Sequence, residues 1–177
     1  MTRKFVATLA LAAAVVLAPR TAAAQEEGFT LTYTDIGATI GWGGIGDASL
    51  AFGGRFEKAI KAVPDLGDGI IGIQAAVDYY SWSSLNYSWS YIPVGVTANY
   101  HFNLENNKID PFLGAGLGYS IISCDYPGTG VDLCTDSALY FIGRAGIRYF
   151  LSRLALYADV GAGAATINVG AMFKIND

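Results

Sequence analysis

Few residues of this 177-residue chain carry side chains suited to enzymatic chemistry. His101 is the only histidine, and a hydrolase would need it as a base beside a serine nucleophile and an acid. The glycines within residues 41–46 fit the spacing G-x-G-x-x-G of dinucleotide sites. That motif must open a helix to bind a dinucleotide, whereas here it precedes a predicted strand. We therefore predict a non-enzymatic protein with no catalytic residue, no cofactor and no metal site.

Cys124 and Cys134 are the only cysteines, and they enclose one short loop. Two thiolates are too few ligands for a metal site, and the Cys-x-x-Cys spacing of redox motifs is absent. In an exported protein, a disulfide between them is the default expectation. Closing a loop of this length would add roughly 3 kcal/mol to the free energy of unfolding. We predict that this disulfide constrains an extracellular loop.

The N-terminal residues have the pattern of a secretory signal peptide. Arg3 and Lys4 form a positive start, an apolar run follows, and the alanines at 22–24 precede the predicted cleavage before Gln25. The apolar run is shorter than the roughly 20 residues of a membrane-spanning helix. We predict that residues 1–24 are removed on export and that residues 25–177 form one domain.

The composition excludes several classes of protein. Apolar residues make up 53% of the chain, charged residues 15%, and the formal net charge is −4. The chain is too apolar for a disordered protein and too acidic for a nucleic-acid-binding one. An ordinary soluble surface carries roughly 25–35% charged residues. The composition therefore indicates a membrane protein that has no spanning helix.

From residue 35 onward the side chains alternate with a period of two, which is typical of β-strands with one apolar face. Ile36, Ile40 and Trp42, for example, alternate with Asp35 and Thr39. Eight such segments have lengths that suit tilted strands crossing a bilayer. They are residues 35–43, 48–57, 70–82, 90–102, 109–123, 138–150, 153–163 and 166–176.

The charged residues of these segments all fall opposite the apolar face. That polar face is otherwise mostly small residues, which make a poor solvated surface but a good filling for a narrow barrel. A lipocalin-like barrel with the apolar face inside is therefore disfavoured. We predict an all-β, eight-stranded antiparallel up-and-down transmembrane β-barrel. Its lumen should hold a paired charge network of Asp35, Arg55, Glu57, Asp78, Asp110, Arg144, Arg148, Asp159 and Lys174.

Two finer expectations follow from the strand order. His101 falls at the inner end of its strand, where a packed or turn-capping histidine is expected. Pairing Ser123 with Ser137 would place Gly116 opposite Arg144, where a missing side chain leaves room for the guanidinium group.

Aromatic residues cluster near the predicted strand ends, as amphipathic rings do at membrane interfaces. With both termini on the inner side, we predict one girdle at the outer ends and one at the inner ends of the strands. The outer girdle comprises Trp42, Trp82 and Trp89, and the inner girdle comprises Phe102, Tyr149 and Phe173.

Residues 91–95 (YIPVG), 98–102 (ANYHF) and 110–119 (DPFLGAGLGY) resemble the central hairpin of the bacterial outer-membrane β-barrel domain family. That family groups with small OmpX/OmpA-type barrels. The resemblance implies residence in the outer membrane, contact with its lipid and lipopolysaccharide, and assembly by the barrel-insertion machinery. Many such barrels end on an aromatic residue, whereas this chain ends on Asp177, with Phe173 the nearest aromatic.

The predicted extracellular loops are acidic. They contain Asp47, Asp125, Asp132 and Asp136 and no Lys or Arg among them. Such a rim could bind divalent cations or steer a basic ligand, and plain loop solubility explains it equally well.

Three roles are compatible with this pattern. The first is a closed barrel with a structural, adhesive or surface-interaction role, in which the Cys124–Cys134 loop contacts an extracellular ligand. The second is a barrel that binds or passes small hydrophobic molecules through a mouth lined by Tyr79, Trp82, Trp89 and Tyr91. A lateral gap or an apolar pocket in the outer half of the lumen would favour it. The third is a lipid-modifying enzyme, which the inner position of His101 disfavours.

Overall fold

The computed structural model describes residues 28–45, 48–84, 87–125 and 137–176. Its strands are β1 (Thr34–Ile45), β2 (Ala48–Val63), β3 (Gly69–Ser84), β4 (Tyr87–His101), β5 (Ile109–Asp125), β6 (Ala138–Leu151), β7 (Leu154–Ala162) and β8 (Ile167–Lys174). Each strand pairs antiparallel with the next, and β8 pairs with β1 to close the barrel. The predicted eight-stranded antiparallel up-and-down barrel is confirmed.

Some predicted features lie outside the described residues. These are the signal peptide at 1–24, the loop residues Asp47, Asp132, Asp136 and Cys134, and the side chains of Cys124 and Asp125. The disulfide and the acidic rim therefore stay predictions. Within the described ranges, no helix is long and apolar enough to cross a membrane.

The two ends of the barrel differ in their connections. We call the base the end that holds residues 28–33, the end of β8 and the turns at 64–68, 102–108 and 152–153. We call the mouth the opposite end, where the β7–β8 turn at 163–166 lies.

Apolar side chains cover the outside of the barrel, and most charged side chains of the strands point into it. Phe52 and Phe141 point outward and are 62% and 81% exposed, whereas Glu57 and Arg148 point inward and are 0% exposed. A soluble protein has the opposite distribution. The alternation of the sequence dictates this arrangement, because neighbouring residues of a strand point to opposite faces.

The wall of the barrel is lower on one side of the mouth. The β6–β7 ladder begins at the pair Gly143–Ala162, so residues 138–142 of β6 have no β7 partner. On the other side, the β1–β8 ladder ends at the pair Trp42–Ile167. Residues 138–142 of β6 therefore border a gap in the wall. The β7–β8 turn lies below this gap, and it folds into the barrel with Ala165 buried.

Gly43 and Gly44 allow the end of β1 to approach this turn. Their φ angles are +73° and +120°, which side chains with a Cβ rarely adopt. A Cβ on Gly44 would lie 2.0 Å from the carbonyl oxygen of Ala164. Gly43 and Gly44 of the glycine-rich motif thus serve close backbone packing.

The expected register between β5 and β6 is wrong by two residues. Arg144 pairs with Gly114, Gly116 pairs with Ile142, and Ser120 pairs with Ala138. A slip of one residue would turn every side chain to the other face, but a slip of two leaves the faces unchanged. The apolar pattern therefore does not specify which of these two β5–β6 registers forms.

Candidate functional site

Paired side chains fill the middle of the lumen. This middle layer consists of Arg55, Asp78, Arg144, Asp159 and Asn168. Arg55 donates from Nη1 and Nη2 to the two carboxylate oxygens of Asp78, at 2.9 and 3.1 Å. Asn168 accepts from Arg55 Nη2 at 3.2 Å and donates to Asp159 Oδ1 at 2.9 Å. Arg144 Nη2 lies 2.6 Å from the same Asp159 oxygen, so the layer connects five strands across the lumen.

A second layer lies closer to the base. This base layer consists of Asp35, Glu57, His101, Asp110 and Arg148. The Nη2 of Arg148 forms an ion pair with Glu57 Oε2, and its Nη1 lies 3.1 Å from Asp35 Oδ2. Removing one member of such a buried pair leaves an uncompensated charge, which costs several kcal/mol. The paired arrangement makes the burial of these charges possible.

Glu57 is the hub of the base layer. Besides Arg148, its oxygens accept hydrogen bonds from Asn99 Nδ2 and Gln74 Nε2, each at 2.9 Å. His101 Nε2 lies 2.9 Å from Glu57 Oε1. An ionised carboxylate offers about four acceptor positions, and four donors surround this one.

His101 lies between two carboxylates. Its Nδ1 is 2.9 Å from Asp110 Oδ2 and its Nε2 is 2.9 Å from Glu57 Oε1. Against two ionised carboxylates, which only accept hydrogen bonds, both ring nitrogens of His101 would donate. His101 thus joins the charge network of the lumen, where the sequence pattern predicts only a packed or turn-capping histidine. With both nitrogens engaged, it is not available as a general base.

Residues 28–33 fold beneath the base layer, and we call them the base plug. The Phe29 ring stacks on the His101 ring with centroids 3.5 Å apart and an interplanar angle of 8°. Tyr33 is buried, and burial, together with the Asp35 carboxylate, raises the pKa of its hydroxyl, which stays neutral. Lys174 Nζ lies 5.8 Å from the Tyr33 ring.

Aromatic rings surround the Arg148 guanidinium group. Its Cζ lies 5.3 to 5.8 Å from the ring centroids of Phe29, Tyr33, Phe112 and Tyr157. Such contacts between a cation and an aromatic face are attractive, more so when water is excluded. The base plug therefore supports the charge layer above it.

Inward-facing glycines make room for the two layers. A Cβ on Gly53 would lie 1.9 Å from Asp78 Oδ1, and one on Gly72 would lie 2.5 Å from Glu57 Oε1. An eight-stranded barrel is only wide enough for side chains to fill it. The glycines on the polar face therefore determine where the large charged side chains fit.

The mouth side of the lumen is closed by the inward-folded β7–β8 turn. The buried Tyr80 hydroxyl donates to the carbonyl oxygen of Ala164, and Arg144 Nη1 donates to that of Ala165. Between the base plug and this turn, the space beside Arg55 and Arg144 is narrow, about 30 Å³.

Trp82 and Trp89 do not belong to an outward girdle, which corrects the prediction for these two residues. They pair across β3 and β4, and their rings stack with centroids 4.8 Å apart. Trp82 packs against the buried cluster of Ala51, Tyr80 and Ala165 inside the barrel. The height along a strand determines closeness to the interface, but the odd or even position determines the face. The two tryptophans thus line the mouth.

The other predicted girdle residues do face outward. Trp42 is 67% exposed near the mouth, and three further exposed rings lie near the base: Phe102, Tyr149 and Phe173. Among the residues that the structure describes, no group of three His, Cys, Asp or Glu side chains could hold a metal ion.

Several residues of the filled lumen were not singled out from the sequence. Gln74, Asn99 and Asn168 lie on the polar phase of their strands, so their inward direction was readable. Gln74 and Asn168 bond to the residues opposite them on the neighbouring strand, Glu57 and Asp159, so their partners depend on the register. Asn99 bonds to Glu57 across the lumen, from a strand that is not a neighbour. The base plug precedes the first alternating segment. Its two aromatic residues, Phe29 and Tyr33, are the only signal in the sequence that this segment packs against the barrel.

Comparison with known proteins supports the fold. No protein-family model matches the sequence, and no curated protein matches it significantly. The structure is similar to that of Neisserial surface protein A, with a TM-score of 0.51 and 16% identity over 81% of this chain and 95% of that one. The barrel therefore has the fold of a small eight-stranded outer-membrane protein.

Two further solved structures have lower TM-scores. OprG from Pseudomonas aeruginosa gives 0.49, with 13% identity over 86% of this chain and 100% of that chain. Ail from Yersinia pestis, solved in complex with the heparin analogue sucrose octasulfate, gives 0.45, with 15% identity over 80% of this chain and 93% of that chain.

Proposed function

We propose that the protein resides in the bacterial outer membrane as a barrel with a sealed lumen and has a structural or surface-interaction role. The observation that carries this proposal is the pair of ion-paired layers between the base plug and the β7–β8 turn. An apolar exterior suits lipid, and a filled lumen leaves no aqueous path. The mouth would then face the cell exterior, where the loops can contact a ligand.

Planar-bilayer recording tests the sealed lumen. We expect no stable conductance of porin size from the purified protein. A steady large conductance would overturn the proposal. Fractionation tests the location: we expect the protein in the outer-membrane fraction, with heat-modifiable mobility on a gel. Recovery from the soluble periplasm would contradict it.

The geometry at the base disfavours an enzymatic role. Both nitrogens of His101 contact carboxylates, and Phe29 covers one face of its ring. A base for acyl chemistry needs a free nitrogen beside a nucleophile. The filled middle of the lumen supports the surface barrel over a barrel that passes molecules through, whereas an uncharged pocket at the mouth beside a gap in the wall is the feature expected of a binding role.

A further inference from the structure

The mouth contains a cavity of about 340 Å³ between β6 and the β7–β8 turn. It is lined by Gly44, Ser120, Ala138, Tyr140, Phe141, Gly163 and Ala164. None of these side chains is charged. The volume is at the lower end of the range for small-molecule sites, so it suits one slender apolar group.

The cavity adjoins the aromatic surface of the mouth. Ala164, one of its lining residues, packs in the same cluster as Tyr80, Trp82 and Tyr91. The stacked Trp82 and Trp89 rings continue this surface. An apolar group in the cavity would therefore extend along aromatic rings, which bury large areas.

The cavity also reaches the outside of the barrel through the low part of the wall. Its lining includes Tyr140, which faces inward, and Phe141, which faces outward. Residues 138–142 of β6 lack a β7 partner at this height. The exposed Leu139 and Phe141 lie beside the opening and belong to the apolar exterior.

The floor of the cavity is closed. Tyr80 and Arg144 bond to the carbonyl oxygens of the β7–β8 turn, and the middle layer lies beneath. A molecule entering from the side would stop here, so the geometry suits binding and opposes passage along the lumen.

We propose that this mouth cavity binds the acyl chain of a membrane amphiphile, which enters sideways from the lipid through the gap above the β7–β8 turn. Three observations select this occupant: the uncharged lining, the small volume and the continuity with the lipid-facing surface. The proposal goes beyond the sealed barrel and does not depend on its surface role.

Tryptophan quenching by a brominated chain tests the proposal. The chain has three tryptophans, so the variant Trp42→Phe leaves only Trp82 and Trp89 as reporters. The purified variant is placed in a detergent without bromine and titrated with a lysophospholipid that carries bromine on its acyl chain. We expect saturable quenching, because a bound chain lies against the mouth aromatics.

A matched pair of substitutions locates the site. Ala138 pairs with Ser120 and faces the cavity, whereas Leu139 pairs with Tyr119 and faces outward. In the Trp42→Phe background, Ala138→Phe should raise the half-quenching concentration by about tenfold or more, and Leu139→Phe should leave it unchanged. Quenching that does not saturate, or that is equal in all three proteins, would overturn the proposal.

Photolabelling gives a second readout that needs no substitution, should Ala138→Phe fail to fold. A lysophospholipid with a photoreactive group on its acyl chain should label residues 138–142 and 163–166. Labels confined to outward residues such as Phe52 would overturn the proposal. Saturable quenching by a brominated soluble alcohol, with none by the lysophospholipid, would equally refute an acyl occupant.

Discussion

Replacing Glu57 by Gln should strongly destabilise the barrel. The side chain is fully buried, and four donors surround its two oxygens, from Arg148, His101, Asn99 and Gln74. Glutamine keeps the shape of the side chain but carries no charge, and an NH2 group, which donates hydrogen bonds, replaces one of the two oxygens. At least one surrounding donor then faces another donor.

The expected loss follows from the charges that remain. Arg148 keeps Asp35, 3.1 Å away, as an ion partner in the base layer. His101 keeps Asp110. Removing one partner of a buried ion pair typically costs about 3–5 kcal/mol. We expect the free energy of unfolding of Glu57→Gln to fall by an amount in this range.

Urea titration of the protein folded in phospholipid vesicles, followed by tryptophan fluorescence, measures this loss by linear extrapolation. The matched control is Glu105→Gln, because Glu105 lies exposed in the β4–β5 connection at the base. An exposed substitution of this kind should change the free energy of unfolding by less than about 0.5 kcal/mol.

A double variant makes the reasoning refutable. Arg148→Met alone should cost as much as Glu57→Gln, and the two together should cost clearly less than the sum of the single losses, because the double variant removes both members of the Glu57–Arg148 pair and neither is left as an uncompensated charge opposite the other. A loss below about 1 kcal/mol for Glu57→Gln, or strictly additive losses, would show that Glu57 is not the hub of the base layer.

Two further losses of stability can be measured by the same titration. Gly53→Ala should lower the free energy of unfolding by about 1–3 kcal/mol, because its Cβ would collide with Asp78. The control Gly143→Ala should be neutral, because nothing lies within 4 Å of the added Cβ. Equal losses for the two variants would contradict the close packing at Gly53. Phe29→Ala should lower the free energy of unfolding by about 3 kcal/mol, because it removes the ring stacked beneath the base layer. The control Phe102→Ala, at an exposed ring, should lower it clearly less. If Phe29→Ala leaves the free energy of unfolding unchanged, the base plug does not support the base layer.

Much of the fold could be predicted because it depends on local periodicity. The strand number and the inward direction of Glu57 and Arg148 follow from alternation. The partners of these charges could not be predicted, since β2 and β6 are not neighbours and meet only across the closed lumen. The inward direction of Trp82 and Trp89, by contrast, follows from their odd or even positions in β3 and β4, and only the stacking of their rings depends on the tertiary structure.

The sequence by itself determined an inside-out barrel, because a period of two fixes the face of each side chain whatever the neighbouring strand does. Only the tertiary structure decided the β5–β6 register, since a slip of two residues leaves every face unchanged. It also decided the two layers, the base plug and the mouth cavity. These depend on which inward side chains reach the same height after closure, and on β7 and β8 ending below their neighbours.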